Sequence, residues 1–324
     1  MSLNIMLASR HAVYLSGDFR LTYSSGHFKD DLNIQKIIPV VRYGWGALVA
    51  YVGVASYPNV VKDMGEWIRE QMDRIAMNGD VKEIPQRLLE ANTLFKKMSE
   101  KKPHAFSIVG FEGRKPFIMV ISNFFDVNGV RTSVRSELKT TIKKPKQSEI
   151  LVVGDDIAIE FKEREDLKLI MSKNSDYQII RKGMYQANIR ASQRSKLISE
   201  QCVTGYLLAS GSLEIGPHGI NDKESYFPEF VKKDLIKQGI VGFKVKTDIL
   251  GNHLPLKWIG MTAKIIKDKN TNRNVVLNLY AIRNTKGFVH DGKKHRGTKL
   301  FYKIAGKNEP KHYSFKRNSI SKKV

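Results

Sequence analysis

The sequence predicts an α+β fold: a four-layer αββα sandwich of two antiparallel sheets flanked by helices, with an added basic, mainly β C-terminal domain. Three observations predict it. Short alternating or β-branched apolar stretches fill the first 53 residues and return after residue 105. A pair of patterns with apolar spacings of three and four separates those stretches, and a second pair follows them. Lysine and arginine concentrate in the last fifth of the chain.

Taken in order, Leu3–Ser9 and Ala12–Asp18 read as strands joined at Arg10-His11, and Ile34–Val41 and Gly46–Gly53 as a second pair. Pro58 opens a helix whose Val61, Met64, Trp67, Ile68, Met72 and Ile75 share one face. A second helix follows Pro85, with Leu88, Leu89, Leu94, Phe95 and Met98. Ala105–Phe111 and Pro116–Asn123 form a strand pair turned through Glu112-Gly113-Arg114, and Val130–Ile142 alternates polar with apolar residues. Glu149–Val153 is a short buried strand ending at Gly154-Asp155-Asp156, where either aspartate can cap the next helix. Ile157–Met171 and Tyr177–Ser195 read as helices, and Cys202–Ala209 as a strand. Gly211, Gly216, Pro217 and Gly219 mark a boundary. The expected domains are therefore 1–211, an α+β extension over 212–307, and a disordered basic tail over 308–324. Within the extension, Ser225-Tyr226-Phe227-Pro228 precedes a short helix, and Phe243–Ile249, Thr262–Lys267 and Val275–Ile282 are strand-like.

Composition narrows the class. A chain of 324 residues with 41% hydrophobic residues is globular, with a sizeable core. No apolar run reaches about 18 residues, so no transmembrane helix or membrane partner is expected. The N-terminal pattern is that of a strand, not of a signal peptide. The single cysteine, Cys202, excludes an internal disulfide and fits a reducing cytosol, hence a cytoplasmic protein. Its apolar strand makes it a core residue. The net charge is +23, and residues 262–324 carry 17 Lys/Arg against 3 Asp/Glu, or +14 of it, leaving +9 for the rest. That asymmetry suits a polyanionic partner, nucleic acid or an acidic protein face, as well as plain solubility. Tyr280, Phe288, Phe301, Tyr302, Tyr313 and Phe315 interleave the charges, as on surfaces that bind single-stranded nucleic acid and also as in an ordinary strand core. His290, His295 and His312 lack paired ligand spacing, so no metal is expected, and no Gly-rich phosphate loop appears.

The chemistry centres on Ser2. Met1 is normally removed before a small residue, which would leave Ser2 with a hydroxyl and a free α-amine on one residue, a nucleophile with its own base. Such a pair needs buried charges to tune it. Asp18, in Gly17-Asp18-Phe19-Arg20-Leu21-Thr22, and Lys36, in Asn33-Ile34-Gln35-Lys36-Ile37, have the types required. A lysine ammonium beside the amine lowers its pKa from the usual 7.7–8.0 or thereabouts and enlarges the neutral, basic fraction.

With these residues the chain resembles proteasome-type β-subunits, which are N-terminal-nucleophile hydrolases, and the peptidase subunit of bacterial ATP-dependent ring proteases. The family opens with nucleophile and strand, then an Asp-x-Arg-x-Thr motif, a lysine, and a strand ending in glycine. Here those are Ser2, Asp18-Phe19-Arg20-Leu21-Thr22, Lys36 and Gly53. The resemblance implies a cofactor-free hydrolase of peptide or protein substrates, with Ser2, Asp18, Lys36 and Gly53 catalytic and Gly53 N–H donating to the oxyanion. It places Arg20, Leu21 and Thr22 at the substrate pocket. It also implies a homo-oligomer and an ATPase partner. Three features depart from the family. Serine stands for its threonine, and Gly154-Asp155-Asp156 stands for Gly-Ser-Gly. The residues that assist the amine are left open among Asp155, Ser192, Ser195 and Ser199. The competing expectation is a catalytically silent, proteasome-like scaffold that binds nucleic acid or an acidic partner through its basic region.

Overall fold

A computed structural model describes residues 2–22, 28–30, 34–56, 63–96, 101–173, 176–220, 256–267, 274–290 and 293–304. The chain divides into two compact units, Met1–Gly219 and Ile220–Val324.

In the first unit, β1 (Leu3–Ala8) and β2 (Ala12–Asp18) form a hairpin, and β3 (Arg20–Thr22) pairs with β4 (Phe28–Asp30). β5 (Ile37–Arg42), β6 (Trp45–Val52), β7 (Ala105–Glu112), β8 (Lys115–Ser122) and β9 (Lys139–Lys143) make an antiparallel sheet in sequence order. Against it stand α1 (Met64–Asp73), α2 (Glu83–Leu89) and α3 (Ala91–Phe95). The other sheet runs β10-β1-β2-β11-β12 within this unit, with β10 at Glu149–Gly154, β11 at Cys202–Leu208 and β12 at Leu213–His218. It carries α4 (Phe161–Lys173) and α5 (Tyr177–Arg194). The layers are therefore α, β, β, α, the sandwich predicted from the pattern.

Strand alternation explains the layering. Leu3, Ile5 and Leu7 pack with Leu167, Ile180, Met184 and Ala187 of α4 and α5. Asn4, on the opposite face of β1, donates to Ser107 Oγ of the facing sheet at 3.1 Å. Ala47, Val49 and Tyr51 likewise face Met64, Ile68 and Ile84 of α1 and α2. Both faces of β1, β2 and β6 are covered, so those strands are buried along their whole length.

Several elements differ from the sequence reading. α1 starts at Met64 behind an Asp63 cap whose Oδ1 accepts from Gly65 and Glu66 N–H, and Pro58, Val61 and Met98 lie outside the described residues. α2 starts at Glu83, so Pro85 falls inside its first turn, where its missing N–H has no intrahelical role. Of the alternating stretch Val130–Ile142 only β9 is strand. The chain before it is tied by side chains to backbone, as in Asn123 Nδ2 to Lys102 O and Arg135 O. After Gly154 comes a 3₁₀ turn, Asp156–Ala158, with no side-chain cap from Asp155, and the helix begins only at Phe161. Gly216 and Pro217, read as boundary residues, pair with Thr204 and Val203 inside β12. The described part of the second unit is three antiparallel strands, β13 (Leu256–Lys267), β14 (Asn274–His290) and β15 (Lys293–Ile304), paired in that order. Ser225–Pro228, Phe243–Ile249 and 308–324 lie outside the described residues.

Candidate functional site

The β1–β2 register brings the site together. Asn4 faces Gly17 and Leu3 faces Gly154, so Ser2, Asp18 and Asp155 gather at one end of their sheet. Lys36 precedes β5 and Gly53 follows β6, at the same end of the facing sheet. A Cβ on Gly17 would stand 3.5 Å from Lys36 Cβ, which measures how closely the two sheets approach here.

Ser2 is buried, and its Oγ donates to Arg20 O at 2.7 Å and accepts from Lys36 Nζ at 3.1 Å. Nζ also donates to Arg20 O at 3.2 Å and sits 4.7 Å from the centroid of the Tyr51 ring. Asp18 is fully buried. Its Oδ1 accepts Leu3 N–H at 2.9 Å, and its Oδ2 accepts Ser199 N–H at 2.9 Å and Arg20 N–H at 3.2 Å. One carboxylate thus pins the residue after Ser2, the residue whose carbonyl receives Ser2 and Lys36, and the loop after α5. Burial pushes the Lys36 ammonium below its usual range, opposed by the charges of Asp18, Asp63 and Asp30. Burial pushes the Asp18 carboxyl up, opposed by Lys36 and by its three N–H donors.

Gly53 has φ +100, and a Cβ there would meet Pro103 O at 2.2 Å, so only glycine fits. Asp155 N–H donates to Ser2 O at 3.2 Å, while its carboxylate accepts from Ser195 Oγ at 2.5 Å. Ser195 therefore stands next to the Ser2 backbone through Asp155. Ser199 reaches the site by its N–H, and its hydroxyl accepts from Gln201 N–H. Ser192 donates to Ile189 O within α5 and is not brought to Ser2. The Arg20 guanidinium binds Asp30 and Lys196 O, and this residue meets Ser2 by its carbonyl. Leu21 is buried, and of Thr22 only the backbone pairing with Phe28 is described.

Sequence reasoning missed Tyr51, beside Lys36, and His104, whose Nδ1 accepts Val54 N–H at 3.1 Å next to Gly53. Neither belongs to a spaced motif. The one signal was a histidine immediately ahead of an otherwise apolar strand, Ala105–Phe111. Burial pushes the Cys202 thiol up to about 12, which makes it a poor nucleophile. Among the described residues, no group of His, Cys, Asp or Glu could hold a metal ion, and no helix is long and apolar enough to cross a membrane.

No protein-family model matches the sequence, and no curated protein matches it. Among solved structures, the chain is similar to the Anbu (Gly-1) mutant from Hyphomicrobium sp. strain MC1, at 8% identity and a TM-score of 0.47 over 75% of this chain and 100% of that one. It is similar to Anbu, described as an ancestral β-subunit, from Yersinia bercovieri, at 9% identity and a TM-score of 0.46 over 76% and 97% of the two chains. It is also similar to the Anbu complex from Pseudomonas aeruginosa, solved as a helical assembly, at 9% identity and a TM-score of 0.42 over 76% and 98%.

Proposed function

We propose that the first unit is an N-terminal-nucleophile amide hydrolase of the peptidase type, with Ser2 as nucleophile once Met1 is removed. The observation that carries this reading is the Lys36 ammonium, 3.1 Å from Ser2 Oγ in a buried site whose third member is the Asp18 carboxylate. A surface serine has no use for two buried opposite charges, which are costly to desolvate.

In this reading the freed α-amine replaces Arg20 O as acceptor of the Ser2 hydroxyl proton. Oγ attacks the amide carbonyl, the Gly53 N–H receives the oxyanion, and the amine returns the proton to the leaving nitrogen. An acyl ester on Ser2 remains. Water then attacks it, giving its proton to the same amine, and the acid leaves as Oγ is reprotonated. Lys36, donating to Oγ, stabilises developing negative charge there, and Asp18 opposes its loss of charge. In the same reading Asp155, whose N–H donates to Ser2 O, and Ser195, which donates to the Asp155 carboxylate, hold the amine, and a carboxylate there favours the ammonium.

The test joins N-terminal mass analysis to turnover of small peptide amides and to acylation of Ser2 by a peptide boronate or β-lactone. Cleavage and adduct should appear in protein that begins at Ser2 and disappear in Ser2→Ala. Protein that begins at Ser2 and neither cleaves nor forms an adduct would refute the reading. The charge of residues 262–324, 17 Lys/Arg against 3 Asp/Glu, favours a second reading alongside it, in which that region binds a polyanion such as nucleic acid or an acidic protein.

A further inference from the structure

We propose that His104 is the positioning residue of the oxyanion site: its Nδ1 holds the Val54 N–H and thereby aims the neighbouring Gly53 N–H. This rests on the hydrolase reading above. Gly53 lies between two anchors drawn from one short segment. On one side Val52 pairs with Ala105 in the β6–β7 ladder; on the other Val54 N–H donates to His104 Nδ1 at 3.1 Å. The Pro103 carbonyl fills the space where a Gly53 side chain would stand. Residues 103–105 therefore form the mould against which this turn is cast.

The mould is itself held. His104 N–H donates to Asn123 Oδ1 at 2.9 Å, and His104 O accepts from Ser122 Oγ at 3.0 Å and from Asn123 N–H at 3.2 Å. The fully buried ring packs edge-on to Phe106, with centroids 4.6 Å apart, and lies 4.9 Å from Phe95 and 6.5 Å from Tyr51. Tyr51 is also the ring beside Lys36 Nζ.

The chemistry of the ring points the same way. An Nδ1 that accepts a hydrogen bond carries no proton, so the neutral ring carries its proton on Nε2. Nε2 is buried with no hydrogen-bond partner among the described residues. A buried polar atom left unpaired weakens the fold, and packing alone is better served by an apolar ring. What histidine adds at this position is the Nδ1 acceptor. Burial, assisted by the Lys36 charge, pushes the ring down to about 3, so the acceptor stays available throughout the neutral range.

Asn and Gln substitutions separate acceptor position from polarity. Asn places its Oδ1 near the Nδ1 position, whereas the longer Gln side chain carries its oxygen past it. His104→Asn should keep kcat, while His104→Gln and His104→Leu should lower it by about 10- to 100-fold with KM unchanged, as expected for a misdirected oxyanion donor. Full kcat in the folded Gln and Leu variants, with wild-type protein active, overturns this role and leaves the hydrolase reading standing. Wild-type protein that begins at Ser2 and neither turns over nor acylates overturns both. Should the variants fail to fold, nitrogen NMR of histidine-labelled wild-type protein decides. A ring protonated on Nε2 that does not titrate between about pH 5 and about pH 9 is expected, and a ring protonated on Nδ1, or one titrating in that window, overturns the proposal.

Discussion

Asp18 and Lys36 are both charged groups that the fold has taken out of water, and they share the work around Ser2 differently. Asp18 spends its oxygens on backbone N–H groups, while Lys36 spends its donors on Ser2 Oγ and Arg20 O. Asp18→Asn should therefore act on structure as well as chemistry. An amide in that pocket turns one donor toward another, and Lys36 loses its countercharge. The expected loss is about 3–5 kcal/mol, read from the denaturation midpoint, together with turnover. Lys36→Ala should abolish acylation of Ser2 by a β-lactone, and acylation at the wild-type rate would show that another group tunes the nucleophile. Asp155 gives a prediction of opposite sign. A carboxylate beside the α-amine raises its pKa, so Asp155→Asn should move the acid limb of the kcat/KM profile down by about one pH unit. An unmoved limb would mean that Asp155 serves only its Ser195 contact.

At the scale of elements, the site depends on how α1 meets the strand that carries Lys36. A Cβ on Gly65 would stand 2.1 Å from Gln35 O, the carbonyl just before Lys36. Gly65→Ala must push the helix or that backbone aside. The cost should be about 1–3 kcal/mol, with a loss of turnover in a residue that touches no reacting atom. Retained turnover and stability would show that the helix slides freely. The parts of the site legible in the sequence are those fixed by local pattern. The hairpin alternation alone puts Ser2 and Asp18 at one end, whereas the strand read over Ile34–Val41 begins only at Ile37, so that Lys36 stands just ahead of it rather than inside it. The parts not legible depend on contacts distant in sequence. Asn123 with Lys102 and Arg135 replaced the strand expected from Val130, and His104 with Val54 spans 50 positions. Asp155 read as a cap because a short acidic residue commonly is one. Here its carboxylate found Ser195, 40 positions on.

Among the described residues, a buried histidine and a partly buried one set how stability responds to acid. His104 is pushed to about 3 and His218 to about 4, both mainly by burial, while two arginines draw Glu163 down to about 2 against its own desolvation. For each the unfolded chain binds protons more readily. Stability should thus fall as pH drops below about 6.5, by at most about 1.4 kcal/mol per pH unit for each histidine, and further below about 4.5 through Glu163. Asp18, raised by burial, opposes this above its usual range. His104→Asn should flatten the slope of the melting temperature between about pH 6.5 and about pH 4, and an unchanged slope would show that this ring is not buried neutral. Charge separates the two units more sharply than chemistry does. Residues 220–324 hold 24 Lys/Arg against 8 Asp/Glu, +16 of the total +23, whereas Ser2, Asp18, Lys36, Gly53 and His104 all belong to Met1–Gly219. The two apolar clusters that support the site, with the partly buried Tyr206 and Leu208 packed against one of them, are likewise built from residues of that unit. A chain ended after Gly219 should therefore keep acylation of Ser2 while losing its affinity for a labelled oligonucleotide. In the full chain that affinity should fall steeply with salt, by roughly 10³–10⁵ between about 50 and about 200 mM if 6–10 phosphates are contacted. Anisotropy titrations of both chains decide it: equal binding by the shortened chain would move the polyanion site to the first unit, and no binding by the full chain at low salt would leave the charge to solubility.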